Sequence, residues 1–594
     1  MKLRIDIQIM RGLAVLMVVL FHLNYNFLSN GFLGVDLFFV ISGFLMAVLY
    51  KKGTARDFFL RRASRLLPAY YATVIITVFF SSFITLPSEH AQVSNQGIFA
   101  TFFLSNIGYW LQDSYFDSGL FKPLLHLWSL GVEIQFYLFV PLLLWLHWKN
   151  KFIFFLILLG TFISCFFIVK ISPYTAFFLT PFRVWQFLIG ATIAIYFTNK
   201  GNIKYHYPIF GLIGIIIILG LIILFPIDGK ATSFVYGHPG IASLLVSLAS
   251  GLTLIYGLPK FILQSGLGKL FKKLGDWSYS IYLAHFPVIV LYLYKPFSGT
   301  IFEPNDFLDT LTIIFIITLF SFIIYNLFDK KRWSFKSYSL FILISISLLT
   351  IFLSNQINKK GYTEKDINIL SYELDKPLYR CGKSFRLFNP KSDYCELTKH
   401  INNSDKKIIL IGDSHADSIK ESLVKIAQKN NFHVFFPIHS PPILSKTSSD
   451  RVIKIAKEVG ARTIIAHYRY TNALSILEKD FIKKVQDNNL SLYWISPTPG
   501  YDFYVPDLLW ESKLNKNTLS IPIDTEYANL VKSKLKEQNV VFFDPYPAFC
   551  IESKCEISSE NGKPYYFDKH HLTRTGAQKL EPYFEDWFNI IENQ

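Results

Sequence analysis

Ser414, Asp568 and His571 are the residue types that together activate a serine for attack on an ester. Ser414 is the next-to-last residue of the stretch KIILIGDSH (407–415). Asp568 and His571 have Asp-x-x-His spacing in YYFDKHHLTRTGA. A serine nucleophile needs a base, and that base needs an orienting group. We predict these three roles in that order for Ser414, His571 and Asp568. His570 is an alternative base, but the spacing favours His571.

A second set of reactive side chains stands in apolar sequence. Arg11 and His22 bracket RGLAVLMVVLFH, and ionisable residues inside a membrane span are expensive and typically functional. Eleven residues apart on a helix, they share one face about 16 Å apart. Asp36 in GFLGVDLFFVISGF is expected at the depth of His22, where its carboxylate would fix the imidazole tautomer of a general base. The alternative is that Arg11 snorkels and His22 is a satisfied polar residue.

Further charged residues accompany these spans. Arg61, Arg62 and Arg65 in RRASRLLP could clamp the phosphates of an anionic cytoplasmic ligand, or could be ordinary basic residues of an inner loop. Three more residues are candidates for a membrane site because each is costly in lipid and should face a bundle interior: Glu133 in HLWSLGVEIQFYLF, Arg183 in TPFRVWQFLIGA and His285 in YSIYLAHFP.

The elements that must position these residues fall into two parts. With a mean hydropathy of +0.32, the chain is too apolar for an ordinary soluble protein. Apolar runs long enough to cross a bilayer recur up to residue 354 and then stop. We predict a polytopic α-helical membrane domain of about eleven spans, with the short run 98–112 interfacial or re-entrant. The spans are 5–27, 32–50, 67–86, 124–148, 152–170, 177–198, 207–225, 239–258, 277–296, 309–328 and 338–354.

The basic residues predict the orientation. With a cytoplasmic N-terminus, the inner loops of this arrangement hold eighteen Lys and Arg and the outer loops hold four, as the positive-inside rule requires. The net charge of +16 is therefore read as topological, and no nucleic-acid partner is expected. An odd number of spans places the C-terminal domain outside the cytoplasm. No cleavable signal peptide is expected, because Arg11 interrupts the first apolar stretch.

The C-terminal part is predicted to be an α/β domain with a parallel sheet. Helical-length segments separate its short apolar runs, which are 407–411, 432–437, 462–468, 490–496 and 540–546. Four of the five cysteines fall in this part, and in an oxidising compartment they are expected to pair as Cys381–Cys395 and Cys550–Cys555. The Ser414 amide, at a helix start, would supply one oxyanion donor. No metal site is expected.

Taken in order, the membrane motifs resemble the membrane-bound acyltransferase 3 family of bacterial O-acyltransferases. They are Arg-x10-His, DLFFVISGF, RRASRLLP, LWSLGVEIQFY, FRVWQFLIGA and YSIYLAHFP. The resemblance implies Arg11 and His22 as the essential pair, and acyl-CoA binding by the arginine-rich turn, chiefly Arg62 and Arg65. It implies acetyl-CoA as the acyl donor and no bound cofactor. Gln186 departs from relatives that often carry glutamate.

The C-terminal motifs, GDSHA early and DxxHL late, resemble the SGNH hydrolase-type domain, which implies a three-layer α/β fold. A G-x-N block for a further oxyanion donor is not evident, and Asn472 in HYRYTN falls roughly where it belongs. The implied domains are 1–335 for the acyltransferase, 336–377 for an extra transmembrane helix and linker, and 378–594 for the SGNH-like domain. The implied location is a bacterial cytoplasmic membrane.

Together these features predict an O-acetyltransferase. It would move acetyl from cytoplasmic acetyl-CoA across the membrane to a surface or lipid-linked glycan, through an acyl-Ser414 ester. Lipopolysaccharide O-antigen is the expected acceptor and peptidoglycan its close rival. Two alternatives from other classes are a transporter or flippase with an appended esterase, and an outer-domain deacetylase. Fold alone does not decide among these functions.

Overall fold

The computed structural model describes most of the chain. The described residues are 4–24, 28–112, 120–229, 231–330, 333, 335–389, 392–398, 406–438, 446–477, 480–514, 520–522, 525–552 and 554–592. Residues 25–27, the end of the first predicted span, lie outside them, as do Lys230, Lys331 and Arg332 of the predicted loops. The described residues up to Asn358 form one compact unit, and those from Lys359 onward form a second.

The first unit is helical. Its helices are α1 (Ile5–His22), α2 (Gly34–Leu49), α3 (Ala55–Ile84), α4 (Pro87–Thr101), α5 (Ser105–Gln112), α6 (Leu127–Lys149), α7 (Lys151–Ile171), α8 (Pro173–Phe178), α9 (Val184–Thr192), α10 (Pro208–Leu224), α11 (Ile241–Tyr256), α12 (Lys260–Gln264), α13 (Gly266–Tyr292), α14 (Phe307–Ile324) and α15 (Ser337–Lys359). A small hairpin pairs β1 (Thr198–Asn199) with β2 (Asn202–Ile203). π-Helical turns extend α9 over Ile193–Phe197 and α14 over Tyr325–Asp329.

Among the described residues, seven helices are long and apolar enough to cross a membrane. They are Ile5–His22, Gly31–Leu49, Ala55–Ile84, Leu127–Lys149, Lys151–Ile171, Phe307–Asp329 and Tyr338–Lys359. Three shorter apolar helices, Val184–Phe197, Pro208–Leu224 and Ile241–Tyr256, add to them. The unit is therefore a multi-pass membrane unit, while the count of eleven spans and the orientation stay predictions.

The structure changes two local predictions in this unit. The arginine-rich segment is not a loop or a turn: Arg61, Arg62 and Arg65 lie in the first turns of the 30-residue α3, which continues through Pro68. The run 98–112 is divided between α4 and α5, and Phe103 between them has a positive φ of 58°. Asn106, in α5, donates to the Phe178 carbonyl oxygen at 3.1 Å, which connects the break between α4 and α5 to the end of α8.

The second unit is a three-layer α/β domain. Its strands are β3 (Tyr394–Glu396), β4 (Lys407–Gly412), β5 (His433–Pro437), β6 (Thr463–His467), β7 (Ser491–Ile495), β8 (Ser520–Pro522), β9 (Val541–Phe543), β10 (Cys550–Ile551) and β11 (Lys554–Glu556). Its helices are α16 (Glu364–Leu370), α17 (Lys383–Phe388), α18 (Ser414–Lys429), α19 (Lys446–Val459), α20 (Tyr470–Leu477), α21 (Phe481–Asp487), α22 (Val505–Leu514), α23 (Glu526–Glu537), α24 (Tyr546–Phe549), α25 (Arg574–Gln578) and α26 (Glu581–Glu592).

The main sheet has the order β3-β5-β4-β6-β7-β9. Alternate residues of β4 enter opposite cores: Ile408 and Leu410 pack with α18 and α26, while Ile409 and Ile411 pack with α19, α20, α21 and α23. The prediction of a parallel sheet is wrong at one edge, because β3 pairs antiparallel with β5. An antiparallel edge strand needs no helical crossover, so a three-residue strand can add there.

Both expected disulfides are present in this unit, Cys381–Cys395 beside β3 and Cys550–Cys555 across the β10–β11 hairpin. Cys165, in α7, is buried and free. The first disulfide fixes the segment before α17 to the edge strand β3, and the second closes a hairpin.

Candidate functional site

The local geometry of the Gly-Asp-Ser turn places Ser414 at the start of α18. A Cβ at Gly412, the last residue of β4, would lie 2.0 Å from the carbonyl oxygen of His467, so only glycine permits this close approach of β4 to the end of β6. Asp413 then caps α18 by accepting from the His415 amide at 2.9 Å. The strand therefore ends where the helix begins, and Ser414 stands at the carboxyl edge of the sheet.

Ser414, His571 and Asp568 form a continuous hydrogen-bond chain. Ser414 Oγ lies 2.7 Å from His571 Nε2, and His571 Nδ1 lies 2.6 Å from Asp568 Oδ2. A carboxylate can only accept, so His571 Nδ1 carries the proton and Nε2 presents a lone pair to the serine hydroxyl. His571, and not the alternative His570, is therefore the histidine that contacts the Ser414 hydroxyl.

Asp568 is held ionised by its surroundings. Its other oxygen, Oδ1, accepts from the backbone amides of His570 and His571 at 2.9 and 2.8 Å. Burial alone favours the neutral carboxyl, but the hydrogen bond from His571 and the charges of His571 and His570 outweigh it. The pKa of Asp568 is lowered from 3.8 to about 2. The carboxylate thus orients His571 over the whole physiological pH range.

Asn472, the candidate for a further oxyanion donor, lies at the same sheet edge. Its Nδ2 donates to Asp413 Oδ2 at 2.7 Å, and the Arg469 amide donates to the same oxygen at 3.0 Å. Asp413 therefore joins the turn before Ser414 to the segment that follows β6. The side-chain amide of Asn472 keeps a second N–H that is not used in this bond.

Two further histidines, His415 and His570, lie beside His571. His415 Nε2 lies 3.2 Å from His570 Nδ1, and the His415 ring centroid lies 4.9 Å from that of His571. Burial and the neighbouring His571 lower the pKa of His415 well below its ordinary value. Burial chiefly lowers the pKa of His570 to about 4. The sequence showed His415 in GDSHA but gave no reason to place it beside His570.

The membrane unit holds a cavity between α1, α2, α3, α6 and α13. Arg11 of α1, Arg62 and Arg65 of α3 and Glu133 of α6 line it, together with hydroxyl groups that include those of Ser129 and Tyr282. Arg61 is exposed and does not line it, because on the helix its direction differs from that of Arg62 by about 100°. Three predicted cationic residues thus converge on one space.

Glu133 is satisfied within this cavity. Its Oε1 accepts hydrogen bonds from the hydroxyls of Ser42 and Tyr137. Ser129 and Tyr282 share a hydrogen bond of 2.6 Å on the cavity wall. The cavity therefore offers both cationic and hydroxyl groups to a ligand.

His22 contacts His285, not Asp36. His285 Nε2 lies 3.4 Å from His22 Nδ1, and His22 Nδ1 lies 2.9 Å from the Val18 carbonyl oxygen. His285 Nδ1 lies 2.7 Å from the Tyr282 carbonyl oxygen. Carbonyl oxygens only accept, so both Nδ1 atoms carry protons. In the neutral rings each Nε2 then carries a lone pair, and that of His285 faces His22 Nδ1.

The predicted pairing of Asp36 with His22 is wrong. The Asp36 carboxylate lies 3.1 Å from Arg183 Nη2 and 3.1 Å from His238 Nε2, and it accepts from the Gln186 amide. The cause is helix rotation: Asp36 lies on the face of α2 that carries Gly43, seven residues on, and a Cβ at Gly43 would lie 1.9 Å from the Phe187 carbonyl oxygen of α9. This face packs on α9 and not on α1.

Arg183 is completely buried beside Asp36. Its guanidinium stands 5.3 Å from the Phe39 ring centroid, 5.8 Å from Trp128 and 5.7 Å from Phe177. His238 could not be found from the sequence, because it stands in an irregular segment far from the other motifs. The sequence did single out Asp36, Arg183 and Gln186, but not that they meet.

A chain of rings leads from the cavity to His22. Tyr282 lines the cavity, and its ring centroid lies 5.4 Å from His285 and 5.7 Å from His126. The His285 centroid lies 5.3 Å from His22 and 5.6 Å from His126. His126, which opens the HLWSLGVEIQFYLF motif, was not among the predicted residues. The three histidines come together because α1 packs along α13, and His126, just before α6, contacts Tyr282 and His285 of α13.

Comparison with known proteins agrees with these two parts. The chain is 31% identical over 309 residues to the peptidoglycan O-acetyltransferase OatA of Listeria monocytogenes, covering 48% of this chain and 49% of that protein. It is 33% identical over 304 residues to the O-acetyltransferase OatA of Staphylococcus aureus, covering 47% and 50%. The chain thus spans about half the length of the curated relatives it matches.

A solved structure is also similar to part of the chain. It is the periplasmic domain of a lipopolysaccharide acetyltransferase from Salmonella ser. Paratyphi A. The two chains are 17% identical, the match covers 39% of this chain and 98% of that one, and the TM-score is 0.30. The SGNH domain family described as fused to AT3 domains matches residues 380–586. The acyltransferase domain family matches residues 4–302, half of the chain. The chain belongs to this acyltransferase family and carries a fused SGNH domain.

Proposed function

We propose that the chain is an O-acetyltransferase that uses acetyl-CoA as donor and a hydroxyl of a cell-surface polysaccharide as acceptor. The hydrogen-bond chain from Ser414 through His571 to Asp568 carries the proposal, because it is the arrangement that forms and resolves a serine ester. The membrane unit and the SGNH unit would perform successive steps, with the C-terminal unit outside the cytoplasm of a bacterial cell.

In the membrane step, Arg62 and Arg65 would bind the phosphates of acetyl-CoA, with Arg11 deeper along the same cavity. His22 Nε2 would accept the proton of an attacking hydroxyl as it forms a bond to the acetyl carbon. The carbon–sulfur bond then breaks, and the proton passes from His22 to the departing thiolate of CoA. His285 Nε2, facing His22 Nδ1, would stabilise the imidazolium formed between these events.

In the second step, Ser414 Oγ gives its proton to His571 Nε2 and attacks the acetyl carbonyl. The amide of Ser414 at the start of α18 is placed to stabilise the oxyanion, and the leaving oxygen takes the proton from His571. A glycan hydroxyl then loses its proton to His571 and attacks the acetyl-serine ester. Ser414 leaves as the hydroxyl by recovering that proton, so no atom or charge is left over.

Two acceptors are candidates. The O-antigen of lipopolysaccharide is the acceptor we expect from the sequence. Peptidoglycan is the second, and it is favoured by the similarity of the chain to the peptidoglycan O-acetyltransferase OatA of Listeria monocytogenes. Both present sugar hydroxyls outside the cytoplasmic membrane, so the chemistry of Ser414 suits either.

The test is the O-acetyl content of both glycans, measured by proton NMR on purified material from one set of strains. A deletion strain is complemented with wild type, His22→Ala or Ser414→Ala at matched protein levels. His206→Ala and Ser533→Ala, at exposed positions of the two units, are the matched controls. We expect both test variants to lose the acetyl signal on one glycan while both controls retain it.

Other outcomes separate the alternatives. Loss with His22→Ala alone would mean that the membrane unit acetylates the glycan directly and that Ser414 is accessory. A gain of acetyl groups in the deletion strain would identify a deacetylase. Unchanged acetylation of both glycans in the deletion strain would refute the acetyltransferase and favour the transporter.

A further inference from the structure

Three histidines beside Ser414 bring metal-binding atoms together. One ligand nitrogen each from His415, His570 and His571 falls within a group whose members all lie within 4.8 Å of one another. His415 is supplied by the first turn of α18, whereas His570 and His571 come from the loop before α25. The cluster depends on two chain segments more than 150 residues apart, which are joined by the 3.2 Å contact of His415 Nε2 with His570 Nδ1.

We propose that this cluster is a binding site for Zn²⁺ and that the bound ion switches off Ser414 reversibly. Zn²⁺ prefers imidazole nitrogens at about 2.0–2.1 Å in a tetrahedral arrangement, which separates ligand atoms by roughly 3.3 Å. His415 and His570 already have this separation. Small rotations of the His571 ring would complete a three-nitrogen site, leaving the fourth position to water.

The surroundings suit a transition metal. Asp568 holds Nδ1 of His571, the carboxylate–histidine arrangement that orients metal-binding imidazoles and strengthens them as ligands. His570 is only partly buried, which gives an ion a route from solvent. Mg²⁺ and Ca²⁺ require oxygen ligands and should not compete.

Inhibition follows from the atom that the ion would occupy. His571 Nε2 has one lone pair, and in the metal-free enzyme that lone pair accepts the Ser414 proton. Once Zn²⁺ takes it, the serine has no base. The inhibitory consequence rests on the proposed function of Ser414, whereas the binding itself does not.

Binding and inhibition are therefore measured separately on the full chain in detergent. Zinc affinity is obtained by competition with a chromophoric chelator, and inhibition from hydrolysis of p-nitrophenyl acetate with Zn²⁺, with Mg²⁺ and after EDTA. We expect Zn²⁺ alone to inhibit, EDTA to restore activity, and His570→Asn to stay active while its zinc affinity falls by about tenfold or more. His415→Asn should lose affinity likewise.

Two further variants complete the design. Ser414→Ala should bind Zn²⁺ as wild type does, so the site can be established even if the acetyltransferase proposal fails. His433→Asn is the matched control, because His433 contacts Glu396 on β3 and lies in no three-histidine group among the described residues. Equal zinc affinity in wild type, His415→Asn and His570→Asn would overturn the proposal, as would equal inhibition by Mg²⁺.

Discussion

Replacing Asp568 with asparagine should destabilise the SGNH unit by an amount that depends on pH. The carboxylate accepts from His571 Nδ1 and from two backbone amides, and its pKa falls from 3.8 to about 2. A change of that size corresponds to about 2 kcal/mol of stabilisation. The side chain is 27% exposed, so solvent screening is modest. In a domain of this size, about 2 kcal/mol lowers the unfolding midpoint by roughly 4–8 °C.

The sign of the pH dependence follows from the lowered pKa. A carboxylate whose folded pKa lies below its unfolded value stabilises the fold above the unfolded value, and this contribution is lost as pH falls through the folded one. The midpoint difference between wild type and Asp568→Asn should therefore be complete above about pH 5. It should shrink steadily between about pH 4 and pH 2.

The assay is calorimetry of the full chain in detergent. Both disulfides of the described residues lie in the SGNH unit, so the transition of this unit is identified by its response to a reducing agent. Glu560→Gln, at an exposed carboxylate of the same unit, is the control and should not shift the midpoint. A difference for Asp568→Asn that is absent at pH 7, or that persists undiminished at pH 2, would refute the reasoning.

Three predictions concern the membrane unit. Arg62→Gln and Arg65→Gln should each raise the KM for acetyl-CoA about tenfold or more, whereas Arg61→Gln, outside the cavity, should change it less than about twofold in membrane preparations. His285→Gln keeps a hydrogen-bond acceptor for His22 Nδ1 and should lower kcat less than His285→Phe does; equal losses would contradict the role given to His285. Asp36→Asn leaves Arg183 buried without its carboxylate at a cost of about 3–5 kcal/mol, so recovery of folded protein by size-exclusion chromatography should fall, and the double variant with Arg183→Gln should regain part of it.

The sequence predicts the SGNH site well because its signals are local. Gly412, Asp413 and Ser414 define a turn by themselves, and Asp568 and His571 are only three residues apart. The contact of Ser414 with His571 is therefore the one long-range contact that the prediction requires. The antiparallel strand β3 escaped prediction, because three residues carry no periodic signal. The three-histidine cluster could not be predicted for a different reason. His415 and His570 meet only through the packing of two segments that are distant in sequence.

In the membrane unit, the residue types were predicted but not their partners. Polar residues in apolar sequence stand out because burial in lipid is costly. Which polar residues contact each other depends on how each helix is rotated about its axis. A buried helix has apolar residues on every face, so its sequence does not indicate that rotation. Asp36 was therefore assigned to His22 by depth alone, while the packing of Gly43 on α9 turns it toward Arg183.

The two proposed bases, His571 of the SGNH unit and His22 of the membrane unit, have different hydrogen-bond partners. His571 has a carboxylate on Nδ1, which holds the ring with Nε2 directed at the Ser414 hydroxyl. His22 has a carbonyl oxygen and a neutral imidazole. A carboxylate beside His22 would favour a resting imidazolium that cannot accept a proton, and Asp36 contacts Arg183 and His238 instead. If this is correct, bringing a carboxylate to His22 with His285→Asp should impair the membrane step more than His285→Gln does, although aspartate is the stronger acceptor.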